Sequence, residues 1–196
     1  KVSILAHQAA ITSSSSLFSK ASSFESSWQS LSQSFAQTQS VCKQQASFSV
    51  VYQLIQTLYQ SYQTAFNQYQ SCSICNTALA QIGFQTQFQQ SVSQMYSSYQ
   101  SIMTTSQQFY ASQYQAQLLP ILREISSFGS FTQTIATSLS VDLKAILGGI
   151  RLGVDLFAKI GLDLGGILAG SSGGGLLGGV LGGGHKSGGL LAGLLG

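Results

Sequence analysis

Along most of this chain, aromatic and aliphatic residues return every three or four positions, and Ser, Gln and Thr fill the places between them. Alternating steps of three and four mark one face of an α-helix. Leu17, Ala21, Phe24, Trp28, Leu31, Phe35, Thr38 and Cys42 form a first seam in heptad spacing. A second runs Phe48, Tyr52, Ile55, Tyr59, Tyr62, Phe66 and Tyr69. It is out of phase with the first, which places a turn or skip near Lys43–Ser47. A third runs Phe88, Val92, Met95, Tyr99, Ile102, Ser106 and Phe109, broadened by Tyr96, Met103, Tyr110 and Tyr114. Pro120, which lacks the N–H a helix interior needs, follows it. A fourth segment carries Ile121, Ile125, Phe128, Ile135 and Leu139. The pattern predicts helices at about 14–43, 47–72, 77–118 and 121–140.

Gln is a good helix former, Ser is indifferent and Thr is poorer, so these helices would be marginal alone and must be held by packing. The expected fold is all-α: an elongated antiparallel bundle of long uncharged amphipathic helices over 1–140. Glycine marks its end. Only Gly83 and Gly129 precede residue 148. In "ILGGIRLGVDLFAKIGLDLGGILAG", residues 146–170, Leu152, Val154 and Leu156 alternate as in a strand. Arg151, Asp155, Lys159 and Asp163 instead recur every four with alternating sign, as an i,i+4 charge ladder on a helix face. The helical reading is preferred, giving a Gly-rich amphipathic helix over 141–170. Gly149 and Gly153, and Gly161 and Gly165, form small-xxx-small pairs suited to close helix packing. The remainder, 171–196, is a low-complexity Gly/Leu tail. Leu176, Leu177, Leu181, Leu190, Leu191, Leu194 and Leu195 make it an assembly or docking element.

Charge sharpens the picture by its absence. Asp, Glu, Lys and Arg make up 7% of the chain, against about 25% in an average globular protein. From Gln44 to Leu122 there is no acidic, basic or histidine residue at all. Nucleic acid is therefore not an expected partner, because no cationic patch exists to meet phosphate. The first residue is Lys1, which reads as a processed N-terminus left by removal of a secretory signal.

Few residues could carry chemistry. His7 and His185 are the only histidines, and a nucleophilic triad needs a base held by an orienting carboxylate. "GGGHKSGG" lacks the glycine spacing of a phosphate loop. No catalytic residue, metal site or cofactor is expected, and the chain is not read as an enzyme. Cys72 and Cys75, in "SCSIC", read as a disulfide in or near the turn between the second and third helices. If the first two helices form a hairpin near 44–46, Cys42 lies a helix length from Cys72, beyond the ~7 Å a disulfide allows. Cys42 is then a free thiol or an intermolecular cross-link.

Gln/Ser-rich amphipathic segments with few cysteines, then "GLDLGGILAG" and a Gly-Leu tail, resemble small secreted proteins of mushroom-forming fungi. The chain is more loosely similar to coiled-coil silk proteins. The first resemblance implies an extracellular wall or surface protein without an assigned reaction. The expected function is a secreted, extracellular structural protein that self-assembles into a filament, sheet or coat. Its partner is itself, then a cell wall or hydrophobic surface. One alternative is a surface-active protein binding hydrophobic interfaces. Another, with a membrane as second-choice partner, is disruption by the C-terminal amphipathic segment.

Overall fold

The computed structural model describes the backbone of residues 2–170 and the side chains of Ser16 and residues 18–170. Helix α1 spans Val2–Lys43, α2 Phe48–Gln70, α3 Cys75–Gln81 and α4 Phe84–Phe109. A single turn, α5 (Ala111–Gln113), and a π-helical turn (Tyr114–Leu118) lead into α6 (Leu119–Glu124) and α7 (Phe128–Ser138). Three short helices complete the described chain: α8 (Leu143–Gly148), α9 (Val154–Lys159) and α10 (Leu164–Leu168). No strand occurs among the described residues.

Side-chain partners fix the helix directions. Ser27 of α1 meets Gln68 near the far end of α2, so this pair forms an antiparallel hairpin. Trp28 meets Ser91, Gln39 meets Ser98 and Cys42 meets Ser106, so α1 and α4 run parallel. Tyr62 meets Ser127 and Tyr69 meets Ser138, so α7 runs with α2. The result is an up-down-up-down helical bundle. Its core holds Phe24, Trp28, Phe35, Phe84, Phe88, Tyr96, Tyr99 and Phe128, all fully buried.

The first and third seams describe the core well. Every described member of the first, from Ala21 to Cys42, is fully buried. In the third only Phe109 emerges, at 38% exposure. The second seam is rotated relative to expectation. The buried line of α2 is Val51, Ile55, Leu58, Tyr62 and Ala65, and Tyr52, Tyr59, Phe66 and Tyr69 lie half-buried on its flanks. Rings that large fit better at the margin of a close helix contact, where smaller side chains hold the centre.

The third and fourth predicted helices are each divided. Gly83, at φ 77°, turns the chain between α3 and α4. Tyr110, not Pro120, ends α4. The chain then widens into the π turn, where the Leu119 N–H reaches back to the Tyr114 carbonyl, and Pro120 sits in the first turn of α6. The wider turn makes room for a ring that would otherwise press on the preceding carbonyls.

The region 141–170 is helical but is not one helix. Val141 donates its N–H to the Ala136 carbonyl and Leu162 donates to Phe157, each closing a helix in a six-to-one bond. Ser140 and Gly161 supply the left-handed residue these ends need, at φ 55° and 85°. Asp142 then caps α8 by accepting from the Ala145 N–H, and Asp163 caps α10 by accepting from Gly166. Leu147, Phe157 and Leu164 are fully buried, so the apolar face of this region is spent on the bundle.

Candidate functional site

Helix α2 presents Gln53, Gln56, Gln60, Gln63, Asn67 and Gln70 to solvent, an unbroken amide stripe at steps of three and four. On α1, Ser26, Ser30, Gln33, Gln37 and Ser40 form an exposed counterpart, continued by Gln44 just past the helix end. These stripes sit opposite the buried lines because both follow the helical period. Some members are tied to near neighbours: Gln63 donates to the Tyr59 hydroxyl at 2.7 Å, and Gln44, one residue past α1, to Ser40 at 3.5 Å. Between α1 and α4, Gln29, Ser32, Gln33, Gln87, Gln90 and Gln94 line a groove of about 250 Å³ above Trp28. The Trp28 indole N–H donates to Ser91 at its floor, at 2.7 Å.

Among the described residues, charge lies elsewhere: on α1 at Lys20, Glu25 and Lys43, on α6 at Arg123 and Glu124, and in 142–163. The expected ladder does not form on one helix face. Arg151 lies in the link between α8 and α9, Asp155 and Lys159 occupy the first and last turns of α9, and Asp163 is a cap. What binds the link is Gln100 of α4. Its side-chain amide accepts from the Gly153 N–H at 2.6 Å and donates to the Arg151 carbonyl at 3.0 Å.

The four glycines expected at close helix contacts serve ends and turns instead. Gly149 and Gly153 flank the α8–α9 link, Gly161 takes a left-handed turn, and Gly165 lies in the first turn of α10. The glycine at a close helix approach is Gly129 of α7. A Cβ there would lie 3.0 Å from Leu162 Cγ and 3.4 Å from Ile167 Cδ1. The tail leucines Leu176, Leu177, Leu181, Leu190, Leu191, Leu194 and Leu195 lie outside the described residues.

Cys72 and Cys75 form a disulfide in the turn between α2 and α3, with Cα atoms 5.3 Å apart. Cys42 is free and fully buried, its sulfur 3.7 Å from the Ser106 hydroxyl. Burial pushes its pKa up, with the Ser106 hydrogen bond opposing. A thiol so enclosed cannot meet another chain without local opening. This favours the free-thiol reading over the cross-link.

Beside the disulfide, the end of α2, the start of α3 and one face of α7 border an open cleft of about 510 Å³. Phe66, Tyr69 and Phe131 form its aromatic side; Gln70, Ser73, Asn76, Ser130, Thr134 and Ser138 form its polar side. Sequence reasoning missed this cleft because its two halves are far apart in the chain and match no motif.

Buried tyrosines knit the interior. Tyr96 shares a 2.7 Å hydrogen bond with Thr132, and Tyr99 donates to the Leu122 carbonyl at 2.6 Å. Burial raises the pKa of both. It pushes Tyr62 up to about 12, against a smaller lowering from Ser127. Among the described residues, no three His, Cys, Asp or Glu stand together as a metal site, and no helix is long and apolar enough to cross a membrane.

No protein-family model matches the chain, and neither a curated protein nor a solved structure matches it.

Proposed function

We propose that this chain is a secreted extracellular structural protein that self-assembles into a filament, sheet or coat, as its resemblance to the fungal proteins implies. The observation that carries the reading is the pair of uncharged amide and hydroxyl stripes on α1 and α2. Such faces can hydrogen-bond to one another without the desolvation cost of charges. Copies meeting through unlike faces would build an open fibre. The apolar drive has to come from the Gly/Leu tail, because the aromatic seams are taken up in the core or along its margin. The large exposed hydrophobics among the described residues are only Phe18, Val50, Phe109 and Val154.

Electron microscopy at neutral pH tests the reading on three samples: the full chain, a chain ending at Gly170, and full-length Gln56→Lys/Gln63→Lys. Regular assemblies from the full chain, lost in both variants, are expected. Dispersed particles from the full chain would overturn it and favour surface activity, in which the seams open onto an interface. The disruptive alternative is weakened, because Leu143, Leu147, Phe157, Ile160, Leu162 and Leu164 are buried against the bundle and Val154 is the one large hydrophobic that 141–170 exposes.

A further inference from the structure

We propose that the cleft beside the Cys72–Cys75 disulfide is a binding site for a neutral saccharide. Its chemistry is two-sided. Phe66 and Tyr69 of α2, half-buried, offer apolar ring surface and stand edge-on to the buried Phe131 beneath, with ring centroids 5.3 and 5.6 Å away. Ser130, Thr134 and Ser138 form a row at four-residue spacing on α7. Each donates its proton to a carbonyl one turn back, at 2.9–3.0 Å, so Ser130 and Thr134 keep their lone pairs as acceptors, while Ser138 already accepts from the Tyr69 hydroxyl at 3.2 Å and keeps one. Gln70, Ser73 and Asn76, which also line the cleft, are exposed and make no side-chain hydrogen bond among the described residues. Their amides and hydroxyl can donate and accept.

A ligand filling this space must satisfy both sides. A purely apolar one would strip water from the hydroxyls and amides without replacing its hydrogen bonds. A charged one would find no countercharge, because the ten lining residues include no Asp, Glu, Lys, Arg or His. A pyranose ring has a C–H face for the aromatic wall and hydroxyls, each both donor and acceptor, for the rim. The volume of about 510 Å³ falls within the ~300–1,000 Å³ usual for small-molecule sites. The proposal does not depend on the assembly reading, since a dispersed monomer would carry the same cleft.

Titration calorimetry of the full chain tests it. The probes are tetramers of β-1,4-linked N-acetylglucosamine, β-1,3-linked glucose and α-1,4-linked glucose, and a sulfated tetrasaccharide. At least one neutral tetramer is expected to bind and the sulfated one is not. Gln70→Ala/Asn76→Ala alters two exposed side chains with no internal partner and should weaken binding about tenfold. Gln90→Ala/Gln94→Ala, in the α1–α4 groove, should leave it unchanged. Co-sedimentation with insoluble chitin or β-glucan, competed by the bound tetramer, would identify a polymer as the source of the sugar. No binding by any neutral tetramer at millimolar concentration would overturn the proposal. So would equal binding of the sulfated probe, or loss in the control pair rather than in Gln70→Ala/Asn76→Ala.

Discussion

Tyr96 and Thr132 show how hydroxyls enter a core without penalty. Thr132 donates to the Phe128 carbonyl at 2.9 Å, so its lone pair is free to accept the Tyr96 proton. Removing one partner is then not equivalent to removing the other. Tyr96→Phe leaves Thr132 still bonded to the backbone and should cost about 1 kcal/mol. Thr132→Val strands a buried phenol and should cost more, about 1–3 kcal/mol. The double variant should lie close to Tyr96→Phe, and urea unfolding of the three proteins measures the coupling. Tyr62 yields a pH prediction. An unfolded phenol releases its proton near pH 10, and the folded one holds it to about 12. The native state therefore binds the extra proton in that window, and stability, full below pH 10, should fall as pH rises toward 12. Circular dichroism of the wild type and of Tyr62→Phe measures it: the variant should lose less stability between about pH 10 and 12, and an equal loss in both would contradict this. The buried positions were plain in the sequence from Ala21 to Cys42, because a heptad seam names them. The hydroxyl partners were not, because Thr132 lies 36 residues from Tyr96 and no periodicity links them.

At the scale of elements, long uniform helices were legible and their interruptions were not. The α1–α2 turn was anticipated from a phase change, and the structure shows why it holds. Gln45 takes the left-handed conformation, φ 55°, and Ala46 closes the helix on the Val41 carbonyl. In 141–170, regular charge spacing suggested a continuous helix. Two of its acidic residues, Asp142 and Asp163, instead act as caps that start new ones. A carboxylate near a helix start and one on a helix face are the same letter, so only tertiary packing decides between them. The hold on this region can be tested at Gln100. Gln100→Ala removes both hydrogen bonds to the α8–α9 link and should cost about 1–3 kcal/mol. Amide exchange should quicken at Gly153 while α1 and α2 keep their protection. Equal protection at Gly153 would show that burial of Phe157 suffices alone.

For the whole molecule, the bundle separates two functions that share one helical period. Inward positions hold rings and aliphatic chains; outward positions hold amides and hydroxyls. The middle of the chain has no charge with which to attract or repel other molecules at long range. Any association through the α2 stripe should therefore be nearly indifferent to salt. Sedimentation profiles at 20 mM and 1 M sodium chloride should agree, whereas an ion-pair interface would weaken as the Debye length shrinks from tens of ångströms to about 3 Å. Dissociation at high salt would point to Lys20, Lys43 or the charges of 142–163 as the contact. The bundle class was legible from periodicity alone. The cleft was not, since it exists only where α2, α3 and α7 come together beside the disulfide.

To a digestive protease, the charge-free span offers almost nothing to grip. Enzymes that cut beside Lys, Arg, Asp or Glu find no site between Gln44 and Leu122. Those that cut beside aromatic rings meet side chains mostly turned into the core or half-covered at its edge. Trypsin should leave a fragment running from Gln44 to Arg123 even after prolonged digestion, with mass spectrometry as the readout. A surface built from amides and hydroxyls thus has a second consequence: a long span closed to proteases that need a charged residue beside the bond they cut.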